Sequence, residues 1–270
     1  MDRSVHARIV RAAAPGPDDV VVEIGAGLGT LTAALAAAEP PPRRILAVER
    51  DPDMQRVLRA ELAAEPRIVV RGEDAAGFDY RAAAAEAGRA VIVVGNLPYQ
   101  ITSTLLFGII EAGDAVARSV VMVQREVADR IVAPPGDKVY GRLSVMVGQL
   151  MDARMLFVVR PGSFHPAPKV TSAVLSLARR PAPLAPVRDS ALFARVVKES
   201  FGTRRKMLRR SLGDAFGAET AARALAASGV DGTRRPEELA IAEFARLADA
   251  FGASMPLEPP ETLRFGTKRR

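Results

Sequence analysis

The chain has 270 residues, 49% of them hydrophobic, which is enough to bury the core of one large domain or of a large and a small one. It contains no cysteine, which excludes disulfides, thiolate metal sites and a cysteine nucleophile and fits a reducing cytoplasm. The formal net charge is +7, and residues 183–270 hold 16 of the 38 basic but only 11 of the 31 acidic side chains, so this part of the chain predicts an anionic partner, most simply a nucleic acid.

Apolar runs in the sequence are short. None approaches the about 18 residues that a membrane-spanning helix needs, and residues 1–6 lack the apolar core of a signal peptide. The sequence therefore predicts a cytoplasmic protein with no membrane partner, and we also expect a monomer.

Helical and strand patterns alternate along residues 4–178. Strands are predicted at 20–24, 45–48, 67–70, 91–94 and 119–124, and helices at 4–14, 30–38, 52–64, 80–87, 101–112, 125–132 and 142–150. Two further runs, 153–159 and 171–178, indicate a closing strand pair that could add an antiparallel edge. Strands that alternate with helices through right-handed crossovers predict an α/β fold with a Rossmann-like sheet.

The pattern changes to helices alone after the proline-rich stretch 181–186. These helices are predicted near 189–201, 204–213, 219–227 and 236–251. We therefore expect a first domain at 1–182, a small all-helical domain at 187–252 and a loosely ordered basic tail at 253–270.

A glycine-rich turn, residues 23–29 (Glu-Ile-Gly-Ala-Gly-Leu-Gly), joins the first predicted strand to the following helix. Small residues let the backbone approach a ligand, and the helix N-terminus offers free N–H groups. Thr30 stands where a dinucleotide motif has its last glycine, so the pattern favours an S-adenosylmethionine site. The alternative is a tight turn without a ligand. The predicted cofactor contacts are Glu23, Gly25, Ala26, Gly27 and Gly29.

Acidic residues follow the next two predicted strands. Glu49 can accept hydrogen bonds from both hydroxyls of a ribose, and Asp74 can accept from an adenine amine. The alternatives are a charge near a helix N-terminus for Glu49 and a solvated turn carboxylate for Asp74. Together with the glycine-rich turn these acids outline an adenosine-shaped ligand, and the residues after them, Arg50 and Ala75, are included in the predicted cofactor site.

The most informative stretch is Asn96-Leu97-Pro98-Tyr99, between the buried run 91–94 and a helix. In open α/β sheets, ligands bind at this edge. The Asn96 side-chain oxygen and the carbonyl of Leu97 or Pro98 could accept both protons of an exocyclic amine, and Tyr99 could stack on the ring that carries it. Asn96 is also a predicted cofactor contact. The alternative is an ordinary turn.

A stiff, proline-flanked loop at 164–169 precedes the last predicted strand. It could hold Phe164 exposed as a second stacking face opposite Tyr99, and the alternative is that Phe164 fills the core. The two histidines show no metal-ligand spacing, so no metal site is predicted.

The densest basic stretch spans residues 201–210. On a helix, one face of this stretch could pack while the other meets phosphates, and a solvated face is the alternative. The predicted phosphate contacts are Arg204, Arg205, Lys206, Arg209 and Arg210.

Several motifs occur together in this chain: Glu-Ile-Gly-x-Gly-x-Gly at 23–29, Asn-Leu-Pro-Tyr at 96–99, Gln-Arg-Glu-Val-Ala at 124–128, Phe-x-Pro-x-Pro-Lys-Val at 164–170 and the basic run. The combination resembles the ribosomal RNA adenine dimethyltransferase family, and most closely its bacterial small-subunit members. The resemblance implies a methyltransferase sheet, S-adenosylmethionine as cofactor and ribosomal RNA in the small subunit as partner. It implies N6,N6-dimethylation of two adjacent adenines in the 3′-terminal hairpin, with a role in small-subunit biogenesis.

The resemblance also implies how the site would work. The cofactor would lie across residues 25–29, Glu49 and Asp74, and the target adenine would be flipped out of the RNA between Tyr99 and Phe164. Accepting both N–H protons of the amine favours a pyramidal nitrogen whose lone pair points at the methyl group. Positioning and electrostatics would then carry the reaction without a general base.

Family members usually carry a Gly-Gln-Asn-Phe-Leu-like segment before the first helix, whereas this sequence starts at Met1-Asp2-Arg3. We expect either a start codon placed late or weaker cofactor binding. Two rival functions stay open, namely a large-subunit dimethyltransferase of the macrolide-resistance type and an RNA-binding assembly factor with weak catalysis. An oxidoreductase is disfavoured, because the sequence shows neither the last glycine of a dinucleotide motif nor a hydride-site residue.

Overall fold

A computed structural model describes residues 2–202 and 206–254 of the chain. They form two compact units. The first consists of the residues up to Val132 together with Leu150–Pro181, and the second of Ala133–Gln149 together with the residues from Ala182 on.

The first unit is built on a mixed sheet, which has seven strands within the described residues. The strands are β1 (Val20–Ile24), β2 (Arg44–Val48), β3 (Ile68–Arg71), β4 (Val91–Asn96), β5 (Val116–Gln124), β6 (Met151–Val159) and β7 (Ser172–Arg179). Their order across the sheet is β3-β2-β1-β4-β5-β7-β6. Strands β1 to β5 pair in parallel, whereas β7 is antiparallel to both β5 and β6, so the expected antiparallel edge is confirmed.

Within the described residues the first unit has six helices, of which the first precedes β1 and each of the others follows one of the parallel strands: α1 (Arg3–Ala13), α2 (Thr30–Ala36), α3 (Pro52–Glu61), α4 (Tyr80–Ala87), α5 (Thr102–Glu111) and α6 (Arg125–Val132). Asp51 and Asp79 begin two of them as N-cap residues, since each carboxylate accepts backbone N–H groups of the first turn. Short 3-10 turns lie at Ala75–Gly77, Gly113–Ala115 and Pro161–Ser163. The α/β fold class predicted from the alternating pattern is confirmed.

The sheet is buried along its central strands. All five residues of β1 and five of the six in β4 are buried, as expected for the continuous apolar runs of parallel strands covered by helices. One core cluster joins Ile9 of α1 and Leu35 of α2 to Val21 and Ile92 of the sheet. These helices therefore pack on the sheet beside the glycine-rich turn that α2 follows.

The strand order reverses between β1 and β4. The chain leaves β1 through α2 toward β2 on one side, while β4 leads to β5 on the other. The crevice at the carboxyl ends of the strands at such a reversal is where open α/β sheets bind ligands. In this chain it lies where Ile24 pairs with Gly95, directly before Asn96.

Gly95 lets β1 and β4 approach each other at this reversal. A Cβ atom at Gly95 would lie 2.4 Å from the carbonyl oxygen of Ile24, a backbone atom that cannot swing aside like a side chain. We expect Gly95→Ala to lower the free energy of unfolding in chemical denaturation by about 1–3 kcal/mol, the range for overpacking. Gly162→Ala is the matched control, because a Cβ there would meet nothing within 4 Å. Equal losses in both variants would contradict this account.

The second unit is helical. Its helices are α7 (Arg142–Leu150, of which the last residue groups with the first unit), α8 (Ser190–Phe201), α9 (Leu208–Phe216), α10 (Ala218–Ser228) and α11 (Ile241–Ser254), with a 3-10 turn at Pro236–Glu238. Phe244 and Phe251 of α11 are fully buried. The ring of Phe201 lies between those of Tyr140 and Phe244, at centroid distances of 6.1 and 5.7 Å, and helps to form this second core.

Residues 133–149 group with the C-terminal helices, although the sequence placed all of 1–182 in one domain. Several hydrogen bonds tie the segment to the rest of the second unit. Gly136 N–H donates to the Glu237 carbonyl at 2.7 Å and the Tyr140 hydroxyl to the Leu239 carbonyl at 3.0 Å, while the Gln149 amide donates to the Ala185 carbonyl at 2.6 Å. These partners are distant in sequence, so local composition could not reveal the grouping.

The helix expected from residue 204 begins instead at Leu208. The N–H groups of Leu208 and Arg209 donate to the carbonyls of Arg234 and Gly232, both at 2.9 Å. The first turn of the helix is therefore fixed by a loop that follows α10. Lys206 precedes the helix, and Arg204 and Arg205 lie outside the described residues.

Among the described residues, no helix is both long and apolar enough to cross a lipid bilayer. The same residues contain no group of three or more His, Cys, Asp or Glu side chains that could hold a metal ion.

Candidate active site

The glycine-rich turn between β1 and α2 is held against the end of β2. The N–H groups of Gly25 and Ala26 both donate to the Val48 carbonyl, at 3.0 and 3.2 Å. Gly25, Gly27 and Gly29 have φ angles of 71°, 56° and 76°, which residues with a Cβ atom rarely adopt. The tight turn inferred from the sequence is therefore present, and its backbone conformation requires glycine.

Glu49 follows β2, and its half-buried carboxylate is held from two sides. Oε2 accepts the N–H of Gly27 and Oε1 accepts the N–H of Asp51, both at 2.9 Å. Each carboxylate oxygen can accept further hydrogen bonds, so the group is fixed in place with acceptor capacity to spare. The bond to Asp51 is the helix-end role that the sequence left open, and the bond to Gly27 ties Glu49 to the glycine-rich turn as well.

Asp74 is exposed and begins the 3-10 turn Ala75–Gly77. Its Oδ1 accepts the N–H of Ala76 at 3.0 Å, and its Oδ2 lies 3.5 Å from Nη1 of Arg50. The structure thus brings Arg50 and Asp74 together where β2 and β3 end. Asp74 is also a solvated turn carboxylate, which was the alternative to an adenine contact in the sequence analysis.

Glu23, near the end of β1, is only 2% exposed. Its Oε2 and the Thr32 hydroxyl have no hydrogen-bond partner among the described residues. Burial raises the pKa of Glu23 to about 8; the nearby Thr32 hydroxyl opposes this shift and the Glu49 carboxylate adds to it. Burial therefore favours the neutral, protonated form of the Glu23 side chain, which the sequence motif alone did not reveal.

Asn96 is the last residue of β4. It pairs with Met122 of β5, and the N–H of Leu97 donates to the Met122 carbonyl at 2.9 Å. The side-chain Oδ1 of Asn96 is buried and accepts no hydrogen bond from the described residues. Burying an acceptor without a partner is costly, so this oxygen marks a place where a donor from a ligand would be stabilising.

The carbonyls of Leu97 and Pro98, the two candidate acceptors beside Asn96, differ in the hydrogen bonds that they already accept. The Pro98 carbonyl accepts the N–H of Ile101 at 3.1 Å and the hydroxyl of Thr102 at 3.0 Å, which engages both of its lone pairs. Within residues 2–202 and 206–254, no donor reaches the Leu97 carbonyl. The Leu97 carbonyl is thus the one with free acceptor capacity.

The two predicted stacking rings have different surroundings. Tyr99 is half-buried, and its hydroxyl oxygen lies 2.9 Å from Oγ of Ser172, a residue that the sequence reading missed. Phe164 is half-buried and packs against the core cluster that contains Val159 and Val174. Phe164 therefore contributes to the core, which was the alternative interpretation of this residue. In the described part of the chain, no ring contact joins Phe164 to Tyr99.

Three of the predicted phosphate contacts, Lys206, Arg209 and Arg210, are among the described residues, and they lie around the start of α9. Arg209 and Arg210 are exposed in its first turn. Lys206 is half-buried and pairs with Asp214 at 2.9 Å, which lowers the pKa of the Asp214 carboxyl. Of the predicted phosphate contacts, Arg209 and Arg210 thus have no ion pair among the described residues, whereas Lys206 is paired with Asp214.

The structure is similar to two solved structures over most of its length. It matches a 23S rRNA methyltransferase, ErmE, with a TM-score of 0.68 and 28% identity, covering 93% of this chain and 98% of that chain. It matches a dimethyladenosine transferase from Plasmodium falciparum with a TM-score of 0.74 and 22% identity, covering 93% and 96%. At that lower identity, the second likeness concerns the fold alone.

Sequence comparison gives more similar relatives. The chain is 48% identical to "Ribosomal RNA small subunit methyltransferase A" of Anaeromyxobacter sp. (strain K), over 93% of this chain and 90% of the relative. It is 45% identical to the protein of the same name from Myxococcus xanthus (strain DK1622), over 90% and 83%. The profile of the family described as "Ribosomal RNA adenine dimethylase" matches residues 1–252. The chain therefore belongs to the ribosomal RNA adenine dimethylase family.

Proposed function

We propose that this protein is an S-adenosylmethionine-dependent methyltransferase that dimethylates N6 of adjacent adenines in the 3′-terminal hairpin of small-subunit ribosomal RNA. It acts in the cytoplasm, as a monomer, during small-subunit biogenesis. The observation that carries the proposal is the buried, unpartnered Oδ1 of Asn96 beside the free Leu97 carbonyl at the strand reversal. Relatives at 48% and 45% identity named for the small subunit favour that substrate over the large subunit.

The cofactor-binding residues fit an adenosine-containing ligand. The glycine-rich turn leaves space for a close ligand, because a Cβ at Gly27 would meet no atom within 4 Å. The fixed Glu49 carboxylate would accept hydrogen bonds from the ribose hydroxyls, while the Asp74 carboxylate and the Ala75 N–H would bind the edge of the adenine ring. When bound, the cofactor supplies an electron-poor methyl group.

Asn96 and Leu97 prepare the target amine. An adenine amine is a poor nucleophile, since its lone pair is delocalised into the ring. The Asn96 Oδ1 and the Leu97 carbonyl each accept one N–H, which favours a pyramidal nitrogen and directs its lone pair. These acceptors are already in place in the folded protein, so the stabilisation requires no rearrangement at the moment of reaction.

Aromatic and basic side chains hold the RNA in this proposal. The half-buried Tyr99 ring stacks on the flipped base, and Phe164 covers its other face after leaving part of its core contact. Arg204, Arg205, Lys206, Arg209 and Arg210 contact phosphates. Lys206 must then exchange its contact with Asp214 for a phosphate.

We expect Glu49→Gln to weaken binding of S-adenosylmethionine about tenfold, or roughly 1.4 kcal/mol. The amide keeps one oxygen acceptor but cannot satisfy Gly27, Asp51 and two ribose hydroxyls as a carboxylate does. Isothermal titration calorimetry measures the change. Asp53→Asn, at an exposed position early in α3, removes the same charge and should bind like wild type. If all three proteins bound S-adenosylmethionine equally well, the role of Glu49 would be limited to accepting the Asp51 N–H at the helix end.

The function is tested by methylation in vitro. The protein is incubated with methyl-labelled S-adenosylmethionine and, in parallel, with undermethylated small subunits and with large subunits. We expect label in small-subunit RNA, and primer extension should stop at two adjacent adenines. Label confined to large-subunit RNA would support the large-subunit alternative, which the likeness to ErmE favours. RNA binding without any label would support an assembly factor.

A further inference from the structure

We propose that Ser172 is a positioning residue for the base-stacking ring of Tyr99. Its hydroxyl holds the phenol of Tyr99 and thereby fixes the orientation of the ring. The proposal rests on the proposed function, because it assigns to Ser172 a part in holding the target base.

The contact joins a half-buried ring to a fully buried serine. Oη of Tyr99 and Oγ of Ser172 share a hydrogen bond at 2.9 Å. Ser172 is 0% exposed and begins β7, where it pairs with Gln124 on one side and with Val159 on the other. The backbone of Ser172 is therefore held between two neighbouring strands. A buried serine hydroxyl needs a partner, and Tyr99 supplies it.

The backbone end of the same ring is also held. The Thr102 hydroxyl, which is buried, lies 3.0 Å from the Pro98 carbonyl and 3.4 Å from the Tyr99 carbonyl. Bonds at the backbone and at the phenol together restrain both side-chain torsions of Tyr99. Tyr99 nevertheless remains partly exposed, as a ring that stacks on a base must be.

A fixed ring matters because transfer depends on the placement of the amine. The same turn carries Asn96 and Leu97, whose acceptors must meet the base that Tyr99 supports. A misplacement of the order of 1 Å in such a site can cost as much as a hundredfold in rate. Loss of the Ser172 hydroxyl would free the ring without removing its stacking surface, so a smaller loss, mainly in kcat, is expected.

A double-mutant cycle tests this role. Ser172→Ala and Tyr99→Phe remove the same bond from opposite sides, and both kcat and KM are measured on undermethylated small subunits. We expect each variant to lose about fivefold to tenfold in kcat with an unchanged KM for the cofactor, and the double variant to be no worse than either. Ser172→Thr, which keeps the hydroxyl, should restore part of the rate. Ser176→Ala, on the same strand, is the matched control and should behave like wild type.

A second measurement reports on the ring without any reaction. The chain contains three tyrosines and no tryptophan, so incorporation of 3-fluorotyrosine gives three fluorine resonances, of which Tyr99→Phe removes and assigns one. We expect Ser172→Ala to shift or broaden the Tyr99 resonance and to leave those of the buried Tyr80 and Tyr140 in place. An unchanged Tyr99 resonance, or additive losses in the cycle, would overturn the role of Ser172. A wild-type protein that methylates no RNA would instead overturn the proposed function. If Ser172→Ala fails to fold, Tyr99→Phe with full activity overturns the proposal by itself.

Discussion

Asn96→Ala is expected to lower the methylation rate about 10²–10³-fold, the cost of removing one preorganised group that acts in the transition state. The same variant should be as stable as wild type or slightly more stable. The reason is that Oδ1 of Asn96 is buried without a partner among the described residues, so the folded protein gains nothing from it until a donor arrives. A residue that matters for rate and not for stability is typical of a functional site.

Two measurements on Asn96→Ala separate its role from a general defect. Calorimetry should show that affinity for the cofactor falls far less than the methylation rate, because the glycine-rich turn, Glu49 and Asp74 remain in place, and thermal unfolding should show an unchanged or higher midpoint. Gln100→Ala is the matched control, since it removes an exposed side-chain amide from the same turn. Activity of Asn96→Ala within a few-fold of wild type would exclude the proposed acceptor role.

Strand ends could be predicted from the sequence because their signals are local. Apolar runs mark buried parallel strands, and the residues after them, Gly25, Glu49, Asp74 and Asn96, must meet at one edge of the sheet once the strands are parallel. Glycines at 25, 27 and 29 were expected in a tight turn, and their positive φ angles agree. The fold class therefore followed from the order of short motifs, and the same motifs predict the sheet edge at which the candidate site lies.

Contacts between distant segments could not be predicted in this way. Ser172 meets Tyr99 because β7 inserts antiparallel beside β5, and α9 begins at Leu208 because carbonyls near Gly232 take its first N–H groups. The choice between the Leu97 and Pro98 carbonyls depends on where Thr102 points. Each of these contacts depends on tertiary packing, which the residue pattern within one stretch of sequence does not reveal.

Glu23→Gln is expected to raise the free energy of unfolding above that of wild type, by an amount that grows as the pH rises. The carboxyl group is buried, and its folded-state pKa lies at about 8 rather than at the ordinary 4.5. Between these two values the unfolded chain has released the proton while the folded protein retains it, so the contribution of Glu23 to stability falls with rising pH. Below about pH 4.5 both states are protonated and glutamine should resemble the native side chain.

The free energy of unfolding of Glu23→Gln should therefore exceed that of wild type by nearly nothing at low pH and by about 2–5 kcal/mol above pH 8. Urea denaturation of both proteins between pH 4.5 and 9 measures this difference, in which groups common to both cancel. Glu61→Gln, at the exposed end of α3, is the control and should show a small difference independent of pH. A flat difference for Glu23→Gln would mean that the carboxyl group is already ionised and compensated in the folded protein. A rising difference would show that a buried acid at the start of the glycine-rich turn is kept at a cost in stability, as expected where a buried polar group serves a site and not the core.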